Sequence, residues 1–326
     1  MRSDTRDASD WLDELLDTQL DGQPIRAHTG ITNSVRGAAL ALGHDETKRK
    51  AGDLVRMALC AEFRREPLRR DDLARVVIGK EGTRAFPIIL AQAQLMLRDT
   101  FGMELVELRA RGAENPALAE QAAALDEQLG RKRAKTEDKK DTRRVYALKS
   151  TLPDALIASL ALSDTPALDW SASDGHAGSM GLLYVILAII LLSGRRCSSV
   201  RLRAYLAQLS LSADRVLPSS LQPVGVDDTQ PLTQARGRTD PLDLDAYLGV
   251  LQRQSYIESI RLPSSGEAQQ KSEWRWGARA EVEIGEHAIA SFIAQLFAPP
   301  KSEDGSSAAA DDIKQRIERA AGTPLV

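Results

Sequence analysis

Aromatic residues make up only 4% of this 326-residue chain, and it holds only two cysteines. The cores must therefore be built mostly from the aliphatic part of a 43% hydrophobic composition, which is sufficient for two domains of ordinary size. Cys60 and Cys197 sit in unrelated apolar and basic settings, which excludes a disulfide framework and fits a reducing compartment. The four histidines, His28, His44, His176 and His287, are scattered and neither cysteine has a ligand at short spacing, so no metal site is expected. A long apolar run is also missing. The most apolar stretch, GSMGLLYVILAIILLSG (Gly178 to Gly194), stops at Arg195-Arg196, short of the roughly 20 residues needed to span a bilayer. It reads as one short helix apolar all round, with Ser179 as N-cap and Gly194 as C-cap, that either sits at the centre of a domain or offers one face to a partner. The beginning, MRSDTRDASDWLDELLDTQL, has no apolar signal core and is acidic throughout, so an intracellular protein without a membrane role is expected.

Catalytic motifs are absent too. Asp174, His176 and Ser179 lie within six loop residues, and such a loop cannot place them as a triad. The glycines of IGKEGTR (Gly79, Gly82, with Lys80) lack phosphate-loop spacing and read as a turn. We therefore expect no enzyme activity, no catalytic residue and no cofactor.

What is present is helical periodicity followed by hairpins, twice. Residues 1–45 are acidic and read as a mobile segment with one amphipathic helix, Trp11 to Leu20. Leu54, Val55, Ala58 and Leu59 then recur at helical spacing up to Arg65, before Pro67. Asp71 to Ile78 reads as a short second helix. Phe86, Ile89, Leu90, Ala93, Leu97 and Phe101 mark the face of a third, stopped by Gly102. Strand-like ELVELR (Glu104 to Arg109) and RVYALKS (Arg144 to Ser150) follow, separated by a long insertion at 110–143 that reads as disordered or part-helical. The order repeats: helices at Gly181–Leu192, Ser198–Leu209 and Asp243–Gln254, a polar linker at 212–240, then a hairpin of SYIESIRL and EWRWG and a helix at Glu283–Phe297. Three helices followed by a hairpin is the winged-helix order. The expected fold is mainly α with small β-hairpins: tandem winged-helix domains at 46–162 and 163–298, and a polar tail at 299–326 carrying a last short helix near Asp311 to Ala320.

Net charge is only −3, but its placement is uneven. Residues 131–144 carry a basic run, RKRAKTEDKKDTRR, that fits a nuclear-import signal, a nucleic-acid contact or a solvated loop. In the second domain, Arg195 and Arg196 end the apolar helix, Arg201 and Arg203 follow, and Arg261, Lys271, Arg275 and Arg279 lie on or beside the wing. Arranged on one surface, these eight cations would engage the backbone of double-stranded DNA without reading sequence. The alternative is local ion pairing with Glu258, Glu273 and Glu281. Base reading by the third helix is disfavoured, because DLDAYLGVLQRQ starts acidic and offers only Arg253.

The ordered succession PLRRDDLARVVIGKEGTRAFPIILAQAQLMLRDTFGMELVEL, GSMGLLYVILAIILLSG, LDAYLGVLQRQSYIESIRL and EWRWGARAEVEI resembles the MAGE homology domain. The resemblance covers 50–109, 144–162 and 178–297. It implies tandem winged helices without catalysis, most similar within the family to the MAGE-type subunit of the SMC-five/six DNA-repair complex. The implied partners are a RING-type subunit, a kleisin and double-stranded DNA, and the implied location is the nucleus, on chromatin. The alternative is a MAGE-type regulator of a RING ubiquitin ligase with no DNA role. The family meets its RING partner through adjacent leucines on the first helix. Here LVRMALCAEF places Ala58-Leu59 at that position, with Leu54 and Phe63 alongside. The family's kleisin groove in the second domain maps onto Tyr184, Leu187 and Leu248.

Overall fold

The computed structural model describes residues 4–20, 23–24, 31–128, 144–161, 176–212, 215–221, 242–261, 272–297 and 306–326. The chain divides into two compact units, Met1–Leu108 with Asp141–Ala158, and Arg109–Lys140 with Ser159–Val326.

The first unit contains α1 (Asp4–Asp17), a short hairpin of β1 (Gln19–Leu20) and β2 (Gln23–Pro24), α2 (Asn33–Leu42) and α3 (His44–Phe63). Asp45 and Glu46 occupy the first turn of α3, where carboxylates offset the positive end of the helix dipole. Ala51, Leu54, Val55 and Ala58 form its buried stripe. The helix ends where Arg65 takes a left-handed φ of 55°. β3 (Leu68–Arg69) and α4 (Arg70–Leu73) lead through wider and tighter helical turns (Ala74–Ile78, Thr83–Ala85) around α5 (Gly79–Gly82) into α6 (Phe86–Phe101). Gly102 stops α6 at φ 59°, its N–H returning to the Arg98 carbonyl.

β4 (Met103–Leu108) pairs antiparallel with β5 (Val145–Ser150) from Met103↔Ser150 to Leu108↔Val145. β3 adds to the far side of β5, making the order β3-β5-β4. The Gln94 amide locks α6 onto this sheet, accepting from the Leu105 N–H at 2.7 Å and donating to the Leu105 carbonyl at 2.8 Å.

For the described residues of 1–45, the expectation of a mobile segment is corrected. α1 buries Leu12, Leu15 and Leu16 in the same core as α3 and α6. Trp11 stacks on His44 with ring centroids 4.9 Å apart, and Arg36 of α2 donates to Asp13 at 2.5 Å. Three buried leucines contribute about 1.5–3 kcal/mol each, and this fixes an acidic helix that composition alone would leave in solvent.

In the second unit, α7 (Pro116–Gln128) supplies the helical part of the wing insertion, whose remaining residues 129–143 lie outside the described set. α8 (Asp154–Ala161) begins in the residues of the first unit and ends in those of the second, and α9 (His176–Leu192) is the apolar helix. α9 begins three residues before Ser179, so Ser179 is not its N-cap but a buried residue whose carbonyl accepts the Tyr247 hydroxyl at 2.7 Å. Next come β6 (Cys197–Ser198), α10 (Ser199–Gln208) capped by Ser198, and α11 (Leu244–Arg253) capped by Asp243. β7 (Ile257–Arg261) and β8 (Ser272–Trp276) form the hairpin, and β6 joins β8 to give the order β6-β8-β7.

The two-residue strands β3 and β6 have no readable periodicity in sequence, yet each completes its sheet. Of the polar linker expected at 212–240, Leu217 lies in the core and Val216 bridges to Asp243, while 222–241 are outside the described residues. One helix is expected over Glu283–Phe297. It is present as α13 (Glu286–Phe297), and a further short helix not expected from the sequence, α12 (Ala278–Glu283), precedes it, the two separated by Gly285 at φ 77°. The expected polar tail carries α14 (Ser306–Ala321), which packs against α9 and α13 and buries Ile317, Ala321 and Leu325 in the second core.

α9 is therefore a core helix. α10, α13, α14 and β8 all pack on it, and Leu182, Leu183, Ile186, Leu187, Ile190 and Leu191 are buried. Among the described residues no helix is long and apolar enough to cross a membrane.

Candidate functional site

The four candidate RING contacts separate into two groups. Leu54 and Ala58 are fully buried in the first core, so their expected role as contacts is corrected to packing. Leu59 is half-buried and Cys60 exposed. Phe63, the last residue of α3, is 90% exposed, an unusual position for a phenylalanine that covers nothing of its own unit.

The candidate kleisin-groove residues divide likewise. Leu187 and Leu248 are core residues with 0% and 2% exposure, which corrects their assignment to an open groove. Tyr184 is half-buried, edge-on to Phe292 with centroids 5.5 Å apart, and burial with the nearby Glu283 carboxylate pushes its phenol up.

Of the eight candidate DNA contacts, three are turned inward. Arg275 is buried and donates through Nε and Nη2 to Glu258 at 3.0 and 2.7 Å. Arg279 is fully buried, donates to Glu283 at 2.7 Å and lies 5.1 Å above the Tyr256 ring. Arg195 grips Glu286 through two bonds of 2.6 and 2.7 Å. Burial and these carboxylates remove the three from a phosphate-binding surface, so local ion pairing holds at these positions. Arg196, Arg201, Arg203 and Arg261 stay exposed, and Lys271 lies outside the described residues. Arg201 donates to the Tyr205 hydroxyl at 2.9 Å, and Arg203 pairs with Asp245 at 2.9 Å. Ser272 faces Arg261 across the hairpin, and its carbonyl accepts from the Ser199 hydroxyl at 3.1 Å. The start of α10 and the outer end of β7 therefore lie at one end of the sheet.

The feature hardest to see in sequence is a buried ionic network within the second unit. Arg109 commits all five of its N–H donors. Nε and Nη2 reach Glu281 at 2.8 and 2.9 Å, Nη1 reaches Glu258 at 3.1 Å and the Ala113 carbonyl at 3.0 Å, and Nη2 reaches the Trp276 carbonyl at 2.8 Å. Arg275 donates to the same Ala113 carbonyl at 2.8 Å. The network fastens residues 109–113 to the β7–β8 hairpin across 149 residues of sequence separation; no local spacing signals it.

Burial pushes the Glu281 carboxyl up, against the pull of Arg109. A carboxyl raised in the folded state holds its proton where the unfolded chain has released it. Its contribution is therefore complete below the unfolded value, about 4.3, and is lost as pH rises through the folded value. The stability difference between the wild-type protein and Glu281→Gln is accordingly expected to be flat below that point and to fall with rising pH above it. Urea unfolding across pH 4–7 measures this; a difference that grows with pH would contradict the direction.

Among the described residues there is no cluster of groups suited to a metal. What the fold presents is two helical units, each closed by a three-stranded sheet of first-third-second order, with exposed apolar and basic side chains. That is a tandem winged-helix protein. The MAGE homology domain model matches residues 54–287, more than half of the chain, so the chain belongs to the MAGE homology domain family. Among solved structures it is similar to a chain of the "Nse1-Nse3-Nse4 complex", with 18% identity and a TM-score of 0.55 over 85% of this chain and 98% of that one. No curated protein matches it.

Proposed function

We propose that this chain is the MAGE-type subunit of an SMC-five/six complex: a nuclear, chromatin-associated adaptor without catalytic activity that binds a RING-type subunit and a kleisin and contacts double-stranded DNA. The reading rests on one observation above others, a fold shared over almost the whole of a chain from the Nse1-Nse3-Nse4 complex, in a protein of the MAGE homology domain family. Phe63 at the end of α3, with half-buried Leu59 one turn before it, supports the RING contact. Ubiquitin transfer by this chain with a conjugating enzyme alone would contradict the adaptor role.

The discriminating experiment is co-purification. Phe63→Glu is expected to reduce RING-subunit binding at least about tenfold, the effect of losing a buried aromatic anchor, with the melting temperature unchanged because Phe63 covers no core. Kleisin binding should persist. Retention of full RING affinity in this variant would place that contact elsewhere, and a ligase without kleisin in the wild-type eluate would favour a ligase regulator with no DNA role.

DNA contact is assigned to the exposed set Arg196, Arg201, Arg203 and Arg261. Affinity for duplex DNA should be indifferent to sequence and fall with salt. Arg201→Glu with Arg203→Glu should flatten the log–log salt slope by about 1.8, or ~0.9 for each phosphate no longer neutralised. An unchanged slope with an intact fold would remove these two arginines from the interface.

A further inference from the structure

Within the second unit, the start of α7, the turn after α9 and strand β8 surround a cavity of about 290 Å³. That is near the lower end of the roughly 300–1,000 Å³ found for small-molecule sites. Leu118, Trp276 and Ala321 supply its apolar wall. The carboxylates deepest in it are already engaged. Glu281 accepts from Arg109 with both oxygens, at 2.8 and 2.9 Å. Glu286 accepts from Arg195 with both, at 2.6 and 2.7 Å, and its Oε2 also takes the Val326 N–H at 3.0 Å. The two arginines are spent as well, since Arg195 donates further to the Ala321 carbonyl, the Thr323 hydroxyl and the Pro324 carbonyl at 3.0, 2.6 and 2.9 Å.

Donors, by contrast, are left over. Arg275 spends Nε and Nη2 on Glu258 and the Ala113 carbonyl, whereas its Nη1 has no partner among the described residues and is not sealed from solvent. In a residue only 8% exposed, the cavity it lines is the way to that atom. Asn115 accepts the Ala117 N–H at 3.0 Å with Oδ1, capping α7, and its amide N–H groups have no partner among the described residues. Arg196 stands at the mouth with half of its side chain exposed, and its pair with Glu114 spans 3.6 Å, too long for a hydrogen bond.

Four arginines and three glutamates line the cavity, and Glu258 behind Arg275 levels the count, so net charge does not select a ligand. Hydrogen bonding does. An incoming acceptor meets three donor groups, two of them on guanidinium ions, while an incoming donor finds only the rim carboxylate of Glu114 loosely held. We propose that this cavity binds a small organic anion, a carboxylate or phosphate monoester carried on a flat apolar body. The anionic head sits on Arg275, Asn115 and Arg196, and the body lies against Leu118 and Trp276. The site goes beyond the adaptor reading and does not depend on it, because every residue in it belongs to the second unit.

Titration calorimetry of the full chain tests this, with benzoate and phenyl phosphate as probes and benzamidinium as a cation of benzoate's shape. Saturable one-site binding of at least one anion is expected, the tighter of the two naming the head group, and no binding of benzamidinium. Asn115→Asp keeps the oxygen that caps α7 and replaces the free donor by a negative charge. It should weaken the anion at least about tenfold, the effect of losing one hydrogen bond to a charged group, with the melting temperature unchanged. Arg196→Ala, at an exposed residue, should weaken it in the same direction. Arg316→Ala removes an exposed cation elsewhere on the unit and should leave the affinity as it was. The proposal fails if neither anion saturates, if benzamidinium binds as well as benzoate, or if Asn115→Asp and Arg196→Ala both keep wild-type affinity. An equal loss in Arg316→Ala would mean diffuse attraction of anions and would overturn it too.

Discussion

Replacing Arg109 by alanine is expected to destabilise the second unit by about 3–5 kcal/mol, the cost of removing one member of a buried ion network. The side chain is only 7% exposed and supplies five bonds to Glu258, Glu281 and two carbonyls. Without it, Glu281 loses its bidentate partner, and Glu258 keeps Arg275 alone among its ion-pair partners. Glu281 would then stay buried without the partner that opposes its desolvation, and protonation of that carboxyl becomes the cheaper state. The loss should therefore be largest near neutral pH and partly recovered toward pH 5. Urea unfolding of wild-type protein and Arg109→Ala at both pH values measures it. A variant unchanged in midpoint, or one that worsens as pH falls, would mean that the network contributes little.

Leu187→Asp should produce a loss of similar or greater size, and of a different kind from the weakening of one partner's binding. Leu187 is fully buried in α9, and its carbonyl accepts the indole N–H of Trp276 at 3.0 Å. An aspartate there would sit among the apolar side chains of the second core, so burial of the charge costs several kcal/mol, above the 2–5 kcal/mol of a simple leucine-to-alanine cavity. The expected result is unfolding of the second unit at ordinary temperature and simultaneous loss of every partner that unit binds. Leu187→Ala is expected to keep the fold with a lowered midpoint. Selective loss of one partner by a folded Leu187→Asp protein would restore the residue to an open groove.

The contrast between these residues and Phe63 shows what patterning can and cannot convey. Leu54, Ala58, Leu187 and Leu248 have the apolar character of contact residues, but a stripe at helical spacing reads the same whether its cover is the chain itself or another protein. Only the folded chain separates Phe63, which is bare, from Leu54, which is sealed. The basic residues behave likewise. Eight cations gathered around one wing read as a phosphate-binding surface; Arg195, Arg275 and Arg279 instead answer Glu286, Glu258 and Glu283, carboxylates distant in sequence or hidden on the far side of a turn.

The sequence by itself determined the class of fold. Helical periodicity around Leu54 and Phe86, stop signals such as Gly102, the all-apolar α9 and two alternating hairpins are local properties, written within one or two turns of chain, and they sufficed for two winged helices in series. The ordering of α1, the short helix α12, the two-residue strands β3 and β6, the Arg109 network and the docking of α14 were decided only by tertiary structure. Each depends on groups brought together from positions that no short window spans: Leu12 beneath α3, Glu258 beneath Arg109, Arg195 over Thr323. Burial and pairing are properties of the closed core, so whether a given leucine is a contact, or a given arginine is available, exists as a fact only once the chain has folded.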